Sequence, residues 1–220
     1  MKKYTIASSE SVCRTLNGGF GVCLLRDTIA YYHGDYSGGG NWRIRDTIEN
    51  LICTLKNDIT TYSPSVLQEA QQKLAQILYT DLPTILSDCG VESLRVCVIP
   101  RAKREKSYRP DQLYLRRTIQ EVVCDLPGFE NGTHDIIRHT DTVTTHRAKS
   151  GYGGSGERPY VGITKDTCTI SEEVINKDIL LIDDLYTKSV NIDEDCIQAL
   201  YTKGARNVFF YSIGKTLLRF

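Results

Sequence analysis

Two adjacent aspartates and the loop that follows them form the part of this sequence best suited to bind a ligand. Asp183 and Asp184 come directly after residues 179–182, an unbroken apolar run typical of a buried parallel strand. Residues 187–191 then form a polar loop that leads into a helix-like segment. Open α/β sheets bind ligands at the carboxyl ends of their strands, and a helix start favours anions. The sequence therefore predicts a sugar-phosphate site; an ordinary acidic turn is the competing interpretation.

Residues 179–191 resemble the signature for phosphoribosyl pyrophosphate (PRPP) of the type I phosphoribosyltransferases. That signature is a short apolar strand, two acids and a loop rich in hydroxyl groups and glycine. The match holds from Asp183 to Thr187 and then departs from the family pattern. Lys188 and Ser189 replace a Thr and a Gly, and Asn191 replaces the last Thr. Lys, Ser and Asn side chains still donate hydrogen bonds to phosphate oxygens.

The resemblance implies a role for each part of this segment. Asp183 and Asp184 are expected to be the catalytic acids, which hold the ribose hydroxyls and, through water, a Mg²⁺ cofactor. The residues expected on the 5-phosphate are Thr187, Lys188, Ser189, Val190 and Asn191. The implied activity is transfer of ribose 5-phosphate from PRPP, or a related sugar phosphate, to a nitrogen nucleophile with release of pyrophosphate. A homodimer is one assembly that the resemblance allows.

A basic loop at residues 101–110 follows a second apolar run, at residues 94–99. The family resemblance assigns the loop after the first core strand to pyrophosphate, whose negative charge cationic side chains would stabilise. The residues expected there are Pro100, Arg101, Ala102 and Lys103. A solvated surface loop is the second interpretation. A nucleic-acid patch is the third, because only Tyr108 places an aromatic ring among the cations.

Residues 147–158 are rich in glycine and contain the pattern G-x-G-x-x-G from Gly151 to Gly156. No buried strand precedes this pattern and no helix follows it, so a dinucleotide fingerprint is excluded. The preferred interpretation is a mobile lid that keeps water away from the transfer reaction. Its expected lid side chains are Arg147, Lys149 and Tyr152. A surface loop without a function is the alternative.

The alternation of strands, loops and helices from residue 94 onward predicts an α/β fold with a parallel sheet flanked by helices. We expect a phosphoribosyltransferase-like core at residues 90–220 and a smaller N-terminal α+β cap, with strands and two helices, at residues 1–89. One cap helix is expected to begin near Trp42, and the other, at residues 65–87, to break or kink at Pro83.

Later elements are predicted from the same patterns. A short strand is expected at residues 160–163, and a helix at about 192–203. Acids 193–195 in the first turn of that helix suit its dipole but compete with a bound phosphate, so their side chains are expected to point away from it.

Two segments, one N-terminal and one central, narrow the resemblance to the ComF-like branch, which is similar to amidophosphoribosyltransferases. They are residues 31–57, with tyrosines before a helix that ends in Leu-Lys, and residues 138–147, rich in arginine and threonine. The zinc ribbon of that branch is not expected, because Cys13 and Cys23 alone cannot form it. A non-catalytic protein that keeps the fold is the competing functional class: a PRPP or nucleotide sensor, or an interaction protein of DNA uptake or defence. Ser189, in place of glycine, favours it.

Whole-chain composition sets broader limits. The 220 residues include 27 basic and 27 acidic side chains, so net charge does not indicate a nucleic-acid partner. No apolar run approaches the roughly 20 residues of a membrane span, and the N-terminal segment lacks an apolar signal core. We therefore expect a cytoplasmic protein with no membrane partner. Eight cysteines without a C-x-x-C pattern are expected to be reduced thiols.

Overall fold

The computed structural model of the chain describes residues 1–58, 60–144 and 156–217. The strands are β1 (Lys2–Ile6), β2 (Val12–Arg14), β3 (Phe20–Val22), β4 (Thr28–Tyr36), β5 (Leu94–Val98), β6 (Phe129–Gly132), β7 (Ile136–Arg138), β8 (Cys168–Ile170), β9 (Asp178–Tyr186) and β10 (Asn207–Thr216). The helices are α1 (Ile48–Lys56), α2 (Pro64–Cys89), α3 (Tyr114–Asp125), α4 (Ile163–Thr167) and α5 (Ile192–Lys203).

Six strands form one mixed sheet in the order β1-β4-β10-β9-β5-β6. All neighbouring pairs are parallel except β1 and β4, which are antiparallel. The predicted α/β class with flanking helices is confirmed. The strands of this sheet after residue 90 are parallel as predicted, and the complete sheet is mixed because β1 is antiparallel to β4. The first 89 residues supply β1 and β4 to the same sheet as the later strands. A division of the chain at residues 89 and 90 stays a prediction.

The central strand β9 is buried on both faces of the sheet. Leu180 and Ile182 pack into the apolar cluster that includes residues of α1, α2 and α3. Ile179 and Leu181 face the opposite cluster, which includes residues of α5. All four side chains are fully buried, which explains why the strand is an apolar run without polar alternation.

Strand β9 is longer than the four apolar residues suggested. It continues through Asp183 and Asp184 as far as Tyr186, because β10 pairs with it along its length, up to Tyr186 opposite Lys215. On its other side β5 pairs with it only as far as Val98, opposite Ile182. The two aspartates therefore lie where β9 has lost one of its neighbouring strands.

Two cap helices differ from their predicted bounds. α1 begins at Ile48 rather than near Trp42, because the Thr47 side chain accepts a hydrogen bond from the Asn50 N–H and caps the helix. α2 runs unbroken past Pro83 to Cys89. Leu82, next to that proline, is fully buried, so packing against the sheet holds the helix where the missing N–H would weaken it.

Two further expectations are wrong. Residues 160–163 do not form a strand: Gly162 adopts a positive φ of 97° and begins the short helix α4. Cys13 and Cys23 are bonded as a disulfide across the hairpin of β2 and β3, with their Cα atoms 6.6 Å apart, so they are not free thiols. The other six cysteines are free. In the part of the chain that the structure describes, no helix has the length and apolar character needed to cross a bilayer.

The buried centre of β9 gives a direct test of this packing. Replacing Leu180 with Ala removes a fully buried side chain, and we expect unfolding to cost about 2–5 kcal/mol less. Urea denaturation measures the change. Ile137→Ala, at a side chain that is 49% exposed, is the matched control and should change stability by well under half as much. Equal losses in the two variants would contradict the packing of β9.

Candidate active site at the carboxyl end of the sheet

A cavity of about 690 Å³ opens at the carboxyl ends of β5 and β9. The loop after β5 and the segment that ends β9 both line it, although they lie far apart in the sequence. The predicted site residues on its wall are Pro100, Arg101, Ala102, Lys103, Asp183, Asp184, Thr187, Ser189 and Val190. The structure thus brings together the residues predicted for ribose, for pyrophosphate and, in part, for the 5-phosphate.

Asp184 has a cationic partner of its own. Its carboxylate pairs with the ammonium group of Lys56, the last residue of α1, at 2.7 Å. Burial by itself would lower the pKa of Lys56, but the attraction of Asp184 and Asp183 outweighs it, so the pKa is raised. The ion pair therefore holds the Asp184 side chain on the α1 side of the cavity.

Asp183 faces another acid instead of a cation. Asp193, in the first turn of α5, lines the same cavity, and each of these two carboxyls affects the pKa of the other. Burial, and then repulsion by Asp184, raise the pKa of Asp183 to about 7. Burial, and then Asp183, raise the pKa of Asp193 well above its usual value. The pair is therefore stable only when it holds a proton or a cation.

The position of Asp193 corrects one expectation about the first turn of α5. Glu194 and Asp195 do point away from the cavity: Glu194 accepts from the Tyr186 hydroxyl, and Asp195 accepts from the N–H groups of Gly162 and Thr164. Asp193, by contrast, lines the cavity. The expectation that all three acids face away is wrong for Asp193.

The loop after β9 presents only part of its polar groups to the cavity. The hydroxyls of Thr187 and Thr216 hydrogen-bond at 2.8 Å, and the Val190 N–H donates to the Thr187 carbonyl at 2.9 Å, which closes a turn. Ser189 lies on the cavity wall within this turn. Thr187, Ser189 and Val190 therefore form the side of the cavity expected to receive a phosphate.

Two residues predicted on the 5-phosphate contact other parts of the chain. The Lys188 ammonium pairs with Glu10 at 2.6 Å. The Asn191 side chain donates to the carbonyl of Val12, and its φ of 59° places it in the left-handed region at the start of α5. Neither residue is on the cavity wall, because both hold the loop to the N-terminal segment.

Arg101 has a structural role in the loop predicted for pyrophosphate. Its guanidinium donates to both oxygens of Asp58 at 2.5 Å and to the carbonyls of Lys56 and Gln112. It also stacks over the Tyr108 ring, 4.2 Å from the ring centre. These bonds tie the loop to the end of α1, so the charge of Arg101 is largely neutralised by Asp58.

Other cations on the wall come from Lys103 and Arg138. The Lys103 ammonium donates to the Thr142 carbonyl at 2.7 Å. Arg138 is 7% exposed, and its Nε donates to the Arg101 carbonyl at 2.7 Å. This side of the cavity therefore carries positive charge next to the loop.

The lid residues Arg147, Lys149 and Tyr152 lie outside the described residues, so a lid stays a prediction. The segments on either side of it meet beside the cavity. Thr142 pairs with Glu157, and the Thr142 N–H donates to the carbonyl of Ala102. The chain thus leaves and returns next to the loop predicted for pyrophosphate.

The acids of the cavity suit a Mg²⁺ ion with few protein ligands. Within residues 1–58, 60–144 and 156–217, no group of three or more His, Cys, Asp or Glu side chains has the arrangement of a metal site. Mg²⁺ commonly takes only one or two carboxylates and completes its shell with water and substrate oxygens. The buried Oδ1 atom of Asp193 has no hydrogen-bond partner among the described residues, so this oxygen has the capacity to bind an ion.

Sequence reasoning missed the partners that set the charge of the cavity: Lys56, Asp58, Arg138 and Asp193. A lysine at the end of a helix is already expected from the helix dipole. The sequence pattern therefore gives no further indication that Lys56 pairs with a distant acid. The acids in the first turn of α5 are explained in the same way. Only the nearness of that turn to the Asp183 loop could have suggested Asp193.

The acid pair predicts how stability depends on pH. A carboxyl whose pKa is near 7 in the folded chain and near 4 when unfolded stabilises the fold at low pH, and this stabilisation is lost as pH rises from about 4 to about 7. Asp183→Asn removes the ionisation, and Asn still accepts from the Asp184 N–H. We expect the variant to gain on the order of 2–4 kcal/mol relative to the wild type between pH 4.5 and about 8.

Urea unfolding at several pH values measures this difference. Asp46→Asn is the control, because Asp46 is exposed and its pKa is lowered by Lys73, which gives no loss of stability as pH rises. A difference between wild type and Asp183→Asn that stays constant across pH would contradict the proton-sharing pair.

No protein-family model matches this chain, and no curated protein matches it.

Proposed function

We propose that this chain binds PRPP and transfers its ribose 5-phosphate group to a nitrogen nucleophile, with release of pyrophosphate. The observation that supports this most is the meeting of two loops in one cavity at the carboxyl ends of β5 and β9. The wall of this one cavity includes the loop at residues 100–103, the two aspartates, and Thr187, Ser189 and Val190 of the turn that follows them. PRPP has three parts for which these groups are chemically suited: pyrophosphate, ribose and 5-phosphate.

Each part of PRPP has a chemically suitable partner. Asp184, which Lys56 holds in place, accepts hydrogen bonds from ribose hydroxyls. The hydroxyls of Thr187 and Ser189 and the N–H groups of their turn donate to the 5-phosphate. Lys103 and Arg138 supply positive charge for pyrophosphate, while Arg101 fixes the shape of its loop.

The proposed reaction exchanges one bond at the anomeric carbon for another. The bond from this carbon to the pyrophosphate oxygen breaks, and pyrophosphate leaves with the electron pair. The acceptor nitrogen forms a new bond to the carbon and loses a proton to solvent. Mg²⁺, when bound, would supply positive charge to the departing pyrophosphate. Cationic side chains next to the loop act in the same direction by stabilising the charge that develops on it.

A second candidate is a sensor that binds PRPP without turnover. Two observations favour it. The guanidinium of Arg101 is bonded to Asp58 and two carbonyls, and Ser189 stands where the family signature has glycine. Both features reduce the number of hydrogen-bond donors available to phosphate groups during the reaction. They leave the turn at residues 187–190 and the acids Asp183 and Asp184 in place.

Calorimetric titration with PRPP and Mg²⁺ tests the proposed ligand. Thr187→Val keeps the shape of the side chain and removes a hydroxyl on the phosphate side, so we expect PRPP affinity to fall about 10- to 100-fold, the loss of a hydrogen bond to a charged group. Thr202→Val, at an exposed position on α5, is the matched control and should bind PRPP as the wild type does.

Pyrophosphate release distinguishes the two candidates. The enzyme releases pyrophosphate with at least one member of a panel of nitrogen acceptors such as bases, ammonia and glutamine. The sensor binds PRPP and releases none. Wild-type protein that does not bind PRPP in the presence of Mg²⁺ would contradict both.

A further inference from the structure

Asp193 carries an unsatisfied buried oxygen at the wall of the cavity. The residue is only 4% exposed. Asp193 and Asp183 both line the cavity, and the Oδ1 atom of Asp193 has no hydrogen-bond partner in the described part of the chain. A buried carboxylate oxygen without a donor is costly, so its persistence at a cavity wall indicates a group that binds there.

The cations near this pair are directed elsewhere. Lys56 pairs with Asp184, and Lys188 pairs with Glu10. Among the residues that the structure describes, neither Asp183 nor Asp193 forms an ion pair with a lysine or an arginine. Two facing carboxyls without a cation repel each other unless a proton or a metal ion lies between them.

Asp193 also adjoins the turn that would receive the 5-phosphate. A carboxylate in the first turn of α5 suits the helix dipole, but it repels a phosphate bound at the same helix start. A divalent cation on the carboxylate reverses this effect, because it presents positive charge to the ligand. The position of Asp193 is thus compatible with a phosphorylated ligand when a cation is bound.

We propose that Asp183 and Asp193 together bind one divalent cation, Mg²⁺ or Mn²⁺, directly through their carboxylates, before any sugar phosphate enters. Water completes its coordination. Asp184 is not a ligand of this ion, since Lys56 already neutralises it. This assignment rests on the proposed function for its place beside the 5-phosphate, but the ion is expected to bind the chain without PRPP. It differs from a Mg²⁺ ion held through water by Asp183 and Asp184.

Mn²⁺ binding to the full chain without PRPP tests the assignment, with free Mn²⁺ followed by electron paramagnetic resonance at about pH 8, above the pKa of Asp183. We expect one ion per wild-type chain, with a dissociation constant of roughly 10⁻⁵–10⁻³ M, displaced by Mg²⁺. Asp193→Asn and Asp183→Asn should each weaken binding at least about 10-fold.

Glu194→Gln is the matched control. It removes one negative charge from the same helical turn, but the Glu194 carboxylate accepts from Tyr186 and is not on the cavity wall. This variant should bind Mn²⁺ within about threefold of the wild type, because only long-range attraction is lost. Thermal melts confirm that each variant is folded, and two independent ligand variants allow the test to proceed if one is not.

Two results would overturn the proposal. One is a wild-type chain that binds no Mn²⁺ at millimolar concentration; the other is equal weakening in Asp193→Asn and Glu194→Gln. PRPP titration distinguishes failure of the cation site from failure of the proposed function. If the chain binds Mn²⁺ through Asp193 but never binds PRPP, the cation site stands and the proposed transferase function is contradicted. If the chain binds PRPP with Mg²⁺ but does not bind Mn²⁺ in the absence of PRPP, only the cation-site proposal is contradicted.

Discussion

Strand β9 extends beyond β5, and this difference in length brings two neighbouring carboxylates to the wall of a cavity. Side chains alternate along a strand, so Asp183 and Asp184 leave it toward opposite faces of the sheet. Each carboxylate then needs its own partner in a place shielded from water. Asp184 obtains Lys56 from α1, and Asp183 obtains Asp193 from α5. The cavity therefore has an ion pair on one side and an acid pair on the other.

The elements around β9 serve to hold these partners. The last turn of α1 carries Lys56, and Arg101 binds the carbonyl of that same residue, so the loop after β5 and the helix end are fixed together. On the opposite side, Asp195 binds the N–H groups that begin α4 and anchors the first turn of α5. The elements around the cavity are therefore fixed in pairs, α1 to the loop after β5 and α5 to α4.

Sequence patterns predicted the parts of this structure that depend on local chemistry. The apolar run of β9 identified a strand buried on both faces, and the two acids that follow it line the cavity. The extension of β9 past Ile182 was missed, since it depends on how far β10 continues beside it. Pro83 does not end α2 for a related reason: burial of the neighbouring Leu82 and Ile85 outweighs the missing hydrogen bond.

The composition of the cavity was harder to predict than its position. Lys188 and Asn191 have donor groups suited to phosphate, yet Lys188 forms an ion pair with Glu10 and Asn191 donates to the carbonyl of Val12. Asp193 was expected to avoid the cavity on electrostatic grounds, and the structure places it on the wall. For Lys188 and Asn191 the outcome depends on a partner far away in the sequence, which no local pattern encodes.

A crystal structure of the chain with PRPP and Mg²⁺ tests the central claim most directly. The account predicts the 5-phosphate on the turn from Thr187 to Val190, the ribose hydroxyls on the aspartates that end β9, and pyrophosphate against the loop at residues 100–103. PRPP bound outside this cavity, or bound within it with its 5-phosphate away from that turn, would contradict the account.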